Sequence, residues 1–277
     1  MSDVLAEIDA WKPDTVAVGV TDADATMGTH GPTDTVLPFA SVTKTLTTYA
    51  VLIAVQDRLV HLDEPAGPAD VDVPEGITVR HLLAHASGLP LDPGGPIGVP
   101  ERRRIYSNWG YDLLGGLVAD RVGVPFADHL DAEVLRPLGM DATVLDGSPG
   151  HGARGTVRDL LTFARELLDP ELLDDELYRE ATTVAFPGLV GVVPGFGRQT
   201  PCDWGLGFEI KGEKDPHWTG HALAPATFGH FGEAGSYLWV DPTRDLACVT
   251  LADLAFGDWA KDAWPGFNDR IVATYGG

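Results

Sequence analysis

Ala40-Ser41-Val42-Thr43-Lys44 runs on into Leu46-Thr47-Thr48-Tyr49-Ala50-Val51-Leu52-Ile53-Ala54-Val55, a serine and a lysine three residues apart at the head of a helix that is apolar nearly all round. A spacing of three puts hydroxyl and amine on one helical face, within mutual reach. The serine lies near the positive end of the helix dipole, where a developing alkoxide is favoured. A helix apolar on every side is a buried one. Burial is also what draws a lysine down from its usual pKa of ~10.4 to a value at which it can take a proton. Alone, Ser-x-x-Lys equally describes a serine that merely caps a helix, so the rest of the chain has to decide.

Outward from this stretch, the order of elements predicts an α+β fold. Val4 to Trp11 reads as a short amphipathic helix, Thr15 to Val20 as a strand with a weaker one near Thr26, and Ser41 to about Asp57 as the helix just described. Helical patterns follow at Val79 to His85 (capped by Thr78), Tyr111 to Val122, Pro125 to Leu135, Thr156 to Leu168 and Glu171 to Thr183. After Pro187 the composition shifts to glycine, valine and aromatics. Trp204 to Lys211, Ser236 to Asp241 and Leu246 to Ala252 read as strands, and Phe267 to Tyr275 as a closing helix. An antiparallel sheet formed by the N- and C-terminal segments, packed by helices and carrying a mostly helical insertion, accommodates that order. The expectation is a single domain over 1–277, with its α/β part at about 1–60 and 200–277 and its helical part at about 61–199.

Two further stretches carry chemistry. Tyr106-Ser107-Asn108 sits in a turn leading into the helix that contains Tyr111, and Gly229-His230-Phe231-Gly232 precedes the strand Tyr237-Leu238-Trp239-Val240-Asp241. Together with Ser-x-x-Lys they stand in an order that resembles the serine beta-lactamase-like and penicillin-binding protein-like family: class C beta-lactamases, D,D-peptidases and related esterases. Thr78-Val79-Arg80-His81-Leu82-Leu83-Ala84-His85-Ala86-Ser87-Gly88-Leu89 and Leu135-Arg136-Pro137-Leu138-Gly139-Met140 are similar to stretches of the same family. The resemblance implies a beta-lactamase/transpeptidase-like fold and an acyl-enzyme mechanism. It makes Ser41 the nucleophile, Lys44 and Tyr106 the proton carriers, and Asn108 the group that orients a substrate amide. His230 and Gly232 correspond to the third motif, and the backbone N–H groups of Ser41 and Glu233 to the oxyanion hole. Trp109 and Tyr111, beside the Tyr-x-Asn turn, are expected as pocket walls.

His230 stands where class C beta-lactamases carry lysine. A histidine with a pKa near ~6.5 is only partly charged at neutral pH, so a weaker grip on a substrate carboxylate is expected, and inefficient beta-lactam turnover with it. A serine hydrolase of small esters or amides is therefore the first reading. A D-amino-acid peptidase or carboxypeptidase and a weak beta-lactamase are alternatives, and a catalytically silent ligand-binding member is the non-enzyme one. Arg102-Arg103-Arg104, just before the turn, are candidates for holding a substrate carboxylate.

The bulk numbers narrow the partners. Of 277 residues, 41 are acidic and 19 basic, for a net charge of −22. Such a surface repels phosphate backbones and anionic lipid, so neither nucleic acid nor membrane is expected as a partner. The partner expected is a small-molecule ester or amide, with no metal and no cofactor; oligomeric state is left open. Met1-Ser2-Asp3-Val4-Leu5-Ala6-Glu7 has neither the basic nor the apolar region of a signal peptide, which reads as cytoplasmic. Cys202 and Cys248 could form one disulfide but show no metal or redox spacing. No Gly-x-Ser-x-Gly elbow is present. Gly195-Phe196-Gly197 lacks the later glycine of a dinucleotide loop. His81 with His85, and His217 with His221, are four apart but read as ordinary helix or core residues.

Overall fold

Segments from opposite ends of the chain meet in one antiparallel sheet. The computed structural model describes residues 4–277, so Met1-Ser2-Asp3 of the leader reading lie outside the described residues. In chain order the strands are β1 (Val16–Thr21), β2 (Thr26–His30), β3 (Leu37–Pro38), β4 (Val144–Leu145), β5 (Ala153–Gly155), β6 (Gly191–Val193), β7 (Gly197–Gln199), β8 (Glu209–Ile210), β9 (Phe228–Gly232), β10 (Ser236–Asp241) and β11 (Leu246–Ala252). The α-helices are α1 (Thr43–Gln56), α2 (Val79–Leu83), α3 (Trp109–Val122), α4 (Phe126–Leu130), α5 (Val157–Leu168), α6 (Asp175–Ala181) and α7 (Asp258–Tyr275). The main sheet runs β2-β1-β11-β10-β9-β8, every pair antiparallel. Val16 faces Ala252 and Thr21 faces Ala247 across its centre.

Strands β1, β10 and β11 are buried at every position, and their alternation explains why. Val16, Val18 and Val20 point into one apolar cluster with Trp239, Trp264 and Phe267, under α7 and the N-terminal 3-10 turn Val4–Ala10. Ala17, Leu238, Val240, Val249 and Leu251 point the other way, into the cluster that holds α1 and α5. Gly19 is small because α5 presses there: a methyl group would meet Leu161 at 2.5 Å. A sheet covered on both faces needs apolar side chains on both, which makes its strands valine-rich.

Helix α1 is buried from Thr43 through Ala54, as its all-round apolar character predicts. Each large side chain it buries, Leu46, Tyr49 and Leu52 among them, contributes roughly 1.5–3 kcal/mol. Thr78 and Thr156 cap α2 and α5, accepting from His81 N–H and Asp159 N–H. A three-stranded sheet, β3-β5-β4, and the hairpin β6–β7 complete the described strands; neither is foreseen in the sequence.

Four expected elements change length. The strand Trp204 to Lys211 is reduced to β8 and one bridge from Trp204 to Glu209, because Gly205 presses on the chain at Ala181–Thr183 and Gly207 on Thr48 of α1. The helix Glu171 to Thr183 shrinks to α6, because the Glu166 carboxylate accepts the N–H groups of Glu171 and Leu172 and fixes a turn there. Pro125 to Leu135 divides into α4 and a π-turn at Asp131–Leu135. The closing helix starts well before Phe267, at Asp258, and carries Pro265 inside it. Burial of Ala260 and Trp264 on the sheet overrides proline's local cost. Cys202 and Cys248 are both buried free thiols. Among the described residues no helix is long and apolar enough to cross a membrane.

Candidate active site

The nucleophile candidate is mounted on a strained turn. Ala40 adopts φ 45°, a left-handed geometry that costs a residue with a Cβ roughly 1–2 kcal/mol. The surroundings hold it. Phe39 N–H donates to Ala153 O (2.9 Å), and Phe39 O accepts from Val42 N–H (3.1 Å) and from Ser236 Oγ (2.7 Å). Strand β9 comes so close beneath that a Cβ on Gly232 would lie 2.4 Å from Phe39 O and 2.4 Å from Ser236 Oγ. Gly232 is therefore the seat of the serine turn, and its glycine identity is a packing requirement.

Lys44, in the first turn of α1, is completely buried. Its Nζ donates to Asn108 Oδ1 (2.6 Å) and to Gly150 O (2.7 Å), and lies 4.6 Å from the Tyr106 ring centroid. Burial lowers its pKa from 10.5 to about 7, against an opposing pull from the Asp112 carboxylate. The Gly150 carbonyl is delivered by a turn pinned on both sides. Thr47 Oγ1 donates to Pro149 O (2.6 Å), and Ser148, hydrogen-bonded to Asp112 of α3, accepts from Gly150 N–H. Nothing in the sequence marks this carbonyl, because a backbone acceptor has no residue-type signature.

Tyr106 and Asn108 sit in the turn that enters α3. Ser107 anchors it from within, its Oγ donating to Pro90 O (2.6 Å) and accepting from Gly110 N–H. Its N–H donates to Nδ1 of His85 (3.2 Å). His85, at φ 53° and buried, packs its ring 4.5 Å from that of Tyr106. It is thus a core histidine, as read, and one that also supports the turn carrying Tyr106 and Asn108. Burial raises the Tyr106 phenol far above its ordinary value, and the hydrogen bond from Ser41 only partly offsets this. The phenol stays protonated.

His230 departs from expectation. Burial, with the nearby Lys44 ammonium, pushes its pKa down to about 3, so the ring is neutral rather than partly charged. Nδ1 lies 2.6 Å from Phe231 O, a group that can only accept, so the proton is on Nδ1. Nε2 is then an acceptor, 3.4 Å from the Tyr106 hydroxyl. Behind it, the buried Glu209 takes Trp218 Nε1–H (2.8 Å), His217 Nε2–H (3.2 Å) and the charge of Lys214 (3.6 Å). Burial alone would raise its carboxyl, but these cations and donors bring it to about 2. Glu209 was not foreseen in the sequence.

These groups meet at a cavity of about 330 Å³ lined by Ser41, Tyr106, Asn108, His230 and Glu233, with Leu91, Val193, Trp204, Phe231 and Phe256 as apolar wall. Among the described residues no backbone carbonyl outside the helices and strands takes the N–H of Ser41 or Glu233. Trp109 is a correction: it packs on the helical core and does not line the cavity. Tyr111 is likewise buried, with its hydroxyl at Thr48 and Leu83 O. Trp204 and Phe256 form aromatic walls instead. Arg104 is a second correction. It reaches the cavity, but its guanidinium is spent on the carbonyls of Ala84, Ala185, Phe186 and Cys202, which leaves it a strut of the fold.

Comparison with known proteins agrees with this fold. The Beta-lactamase family model matches residues 9–267. A solved structure of a beta-lactamase from Mycobacterium bovis superimposes with a TM-score of 0.95 at 46% identity, covering 99% of each chain. Simvastatin synthase from Aspergillus terreus shares the fold, with a TM-score of 0.80 at 19% identity over 98% of this chain and 93% of its own. The D-alanyl-D-alanine-carboxypeptidase/endopeptidase AmpH of Escherichia coli is 29% identical over 147 residues, which are 42% of this chain and 38% of that protein. The match thus spans well under half the length of that curated relative.

Proposed function

This chain belongs to the beta-lactamase family of serine hydrolases, and from that premise we propose that it hydrolyses a small ester through an acyl-enzyme on Ser41. The observation that carries the reading is the state of His230: neutral, with its one N–H turned away to Phe231 O and a bare nitrogen toward Tyr106. A site that reads a carboxylate beside the reacting carbonyl needs a cation there. Here the position is an uncharged acceptor within a largely apolar wall, which suits an ester better than a beta-lactam or a peptide C-terminus.

The proton inventory then assigns roles. A neutral lysine has two N–H groups and one lone pair; Asn108 Oδ1 and Gly150 O accept both N–H groups, leaving the lone pair for the Ser41 proton. With a pKa of about 7, Lys44 is the base. Ser41 attacks the carbonyl, and the N–H groups of Ser41 and Glu233 hold the oxyanion. Tyr106, kept protonated by burial, is no base at neutral pH, but it can still protonate the departing alkoxide, which is the stronger base. Lys44, now charged, returns a proton to Tyr106. Water enters and releases the acid by the reverse route. Asn108 keeps Lys44 aligned through Oδ1, and its amide N–H groups remain for the substrate. The two free thiols fit a reducing, cytoplasmic setting.

The test is hydrolysis of p-nitrophenyl butyrate and of an alkyl ester, ethyl butyrate, by wild type, Ser41→Ala and Tyr106→Phe. Turnover should vanish with Ser41; Tyr106→Phe should cost roughly 10²–10⁴-fold on ethyl butyrate, whose leaving alkoxide needs a proton, and far less on the p-nitrophenyl ester, whose phenolate does not. Unchanged activity in Ser41→Ala would falsify the assignment. No turnover in wild type across esters, D-amino-acid amides and beta-lactams would make the cleft a silent binding site.

A further inference from the structure

Past the serine, the cavity opens over Leu91, Val192 and Pro194 into an adjoining groove of about 690 Å³. Its lining is apolar and exposed: Leu91 is 47%, Ile97 57% and Val192 64% accessible. Its rim carries three exposed arginines, Arg102, Arg103 and Arg198. Arg103 is held to the wall by one N–H, donated to Ile97 O (3.1 Å). Among the described residues none of the three forms an ion pair. Arg80, Arg121, Arg136, Arg154, Arg158, Arg244 and Arg270 each hold a carboxylate. Apart from the buried Arg104, the other arginines without an ion pair, Arg58, Arg165 and Arg179, line no part of this groove. The acid next to them in sequence, Glu101, is turned to His81 Nε2 (3.0 Å). On a chain with 41 acidic residues and 19 basic ones, three uncompensated guanidinium groups around one apolar groove are a local reversal of sign.

We propose that this groove receives the distal arm of the substrate, an apolar chain ending in an anion, carboxylate or phosphate. The apolar floor takes the chain and the guanidinium rim takes the charge, a pairing for which arginine's forked donors are suited. The inference rests on the ester-hydrolase reading and deepens it. It also agrees with the neutral His230: the third-motif position is uncharged while three exposed guanidinium groups rim the adjoining groove, so the recognised charge is remote from the bond that is cut.

The test compares wild type with an R102A/R103A/R198A variant on p-nitrophenyl butyrate and on p-nitrophenyl hemiesters of dicarboxylic acids of increasing length. Hexyl phosphate and hexanol serve as competitors. Wild type should prefer the best hemiester over the neutral ester in kcat/KM on the order of ten-fold, as steering and pairing by a few exposed charges allow. The preference should reside in KM, fall with added salt and disappear in the triple variant. Hexyl phosphate should compete better than hexanol, and its potency against that of the free dicarboxylate separates a phosphate from a carboxylate preference. Ser41-dependent cleavage of the neutral ester with no anion preference, or with one untouched by the triple variant, overturns the groove while leaving the hydrolase reading intact. If no ester is cleaved, that reading falls and binding decides the groove, read from the fluorescence of the cavity residue Trp204. Tighter binding of hexyl phosphate than of hexanol, lost in the triple variant, supports the groove; equal binding rejects it.

Discussion

At the scale of single residues the site is a set of proton positions fixed by burial. Lys44 titrates near 7 where an exposed lysine would titrate near 10.5, so the neutral form, the base of the proposed mechanism, accumulates as pH rises. The acid limb of kcat/KM for a neutral ester is expected to show an apparent pKa near 7; a rate flat from pH 5.5 to 9 would exclude Lys44 as base. The same shift has a sign for stability. Between about 7 and 10.5 the unfolded chain binds the proton that the folded chain has lost, so Lys44 makes stability rise with pH across that window. Lys44→Met should be inactive yet flatten this dependence, as measured by urea unfolding at several pH values. The grouping of Ser41, Lys44, Tyr106, Asn108 and His230 was legible in the sequence because their residue types and spacing mark it and survive in the fold. Gly150 contributes a carbonyl, and His85 and Glu209 support from behind, so none of them had a signature. Trp109 was misassigned because which face of a turn a ring takes is settled by packing, and here the helical core claims it.

Elements were legible where one cause dominates. Helix α1 could be read because burial on all sides demands apolar residues on all sides, and β1, β10 and β11 because both of their faces are covered. The segment from Trp204 misled because its composition favours a strand while its glycines serve a close approach. Gly207, at φ +84°, would place a Cβ 1.8 Å from Thr48 Oγ1 on α1. Gly207→Ala should therefore destabilise by about 2–4 kcal/mol, combining left-handed strain with overpacking. Gly76, at φ +86° with nothing within 4 Å of its would-be Cβ, is the control. Gly76→Ala should cost only about 1–2 kcal/mol, and urea midpoints for the two variants separate packing from strain.

For the molecule as a whole, a net charge of −22 makes self-repulsion a standing cost of compactness. Added salt should raise the melting temperature between about 0.02 and 0.5 M, because screening relieves long-range repulsion more than it weakens exposed ion pairs, which contribute little. A melting temperature that falls with salt would show that those pairs matter more. The antiparallel sheet between terminal segments was legible at this scale from the order of elements; the three-stranded sheet and the β6–β7 hairpin were not, since strands of two or three residues are too short to show a period. The sheet's connectivity also sets a schedule for biosynthesis. Val16 has its ladder partner at Ala252, so β1 leaves the ribosome long before the strand it must pair with has been translated. Until β11 emerges, β1 can pair only with β2 and pack on α5, and the edge that β11 fills stays open. Long-range pairing of this kind is slow and exposes apolar surface meanwhile, so chains truncated before β11 are expected to be far more protease-sensitive than the full chain, as limited proteolysis would show.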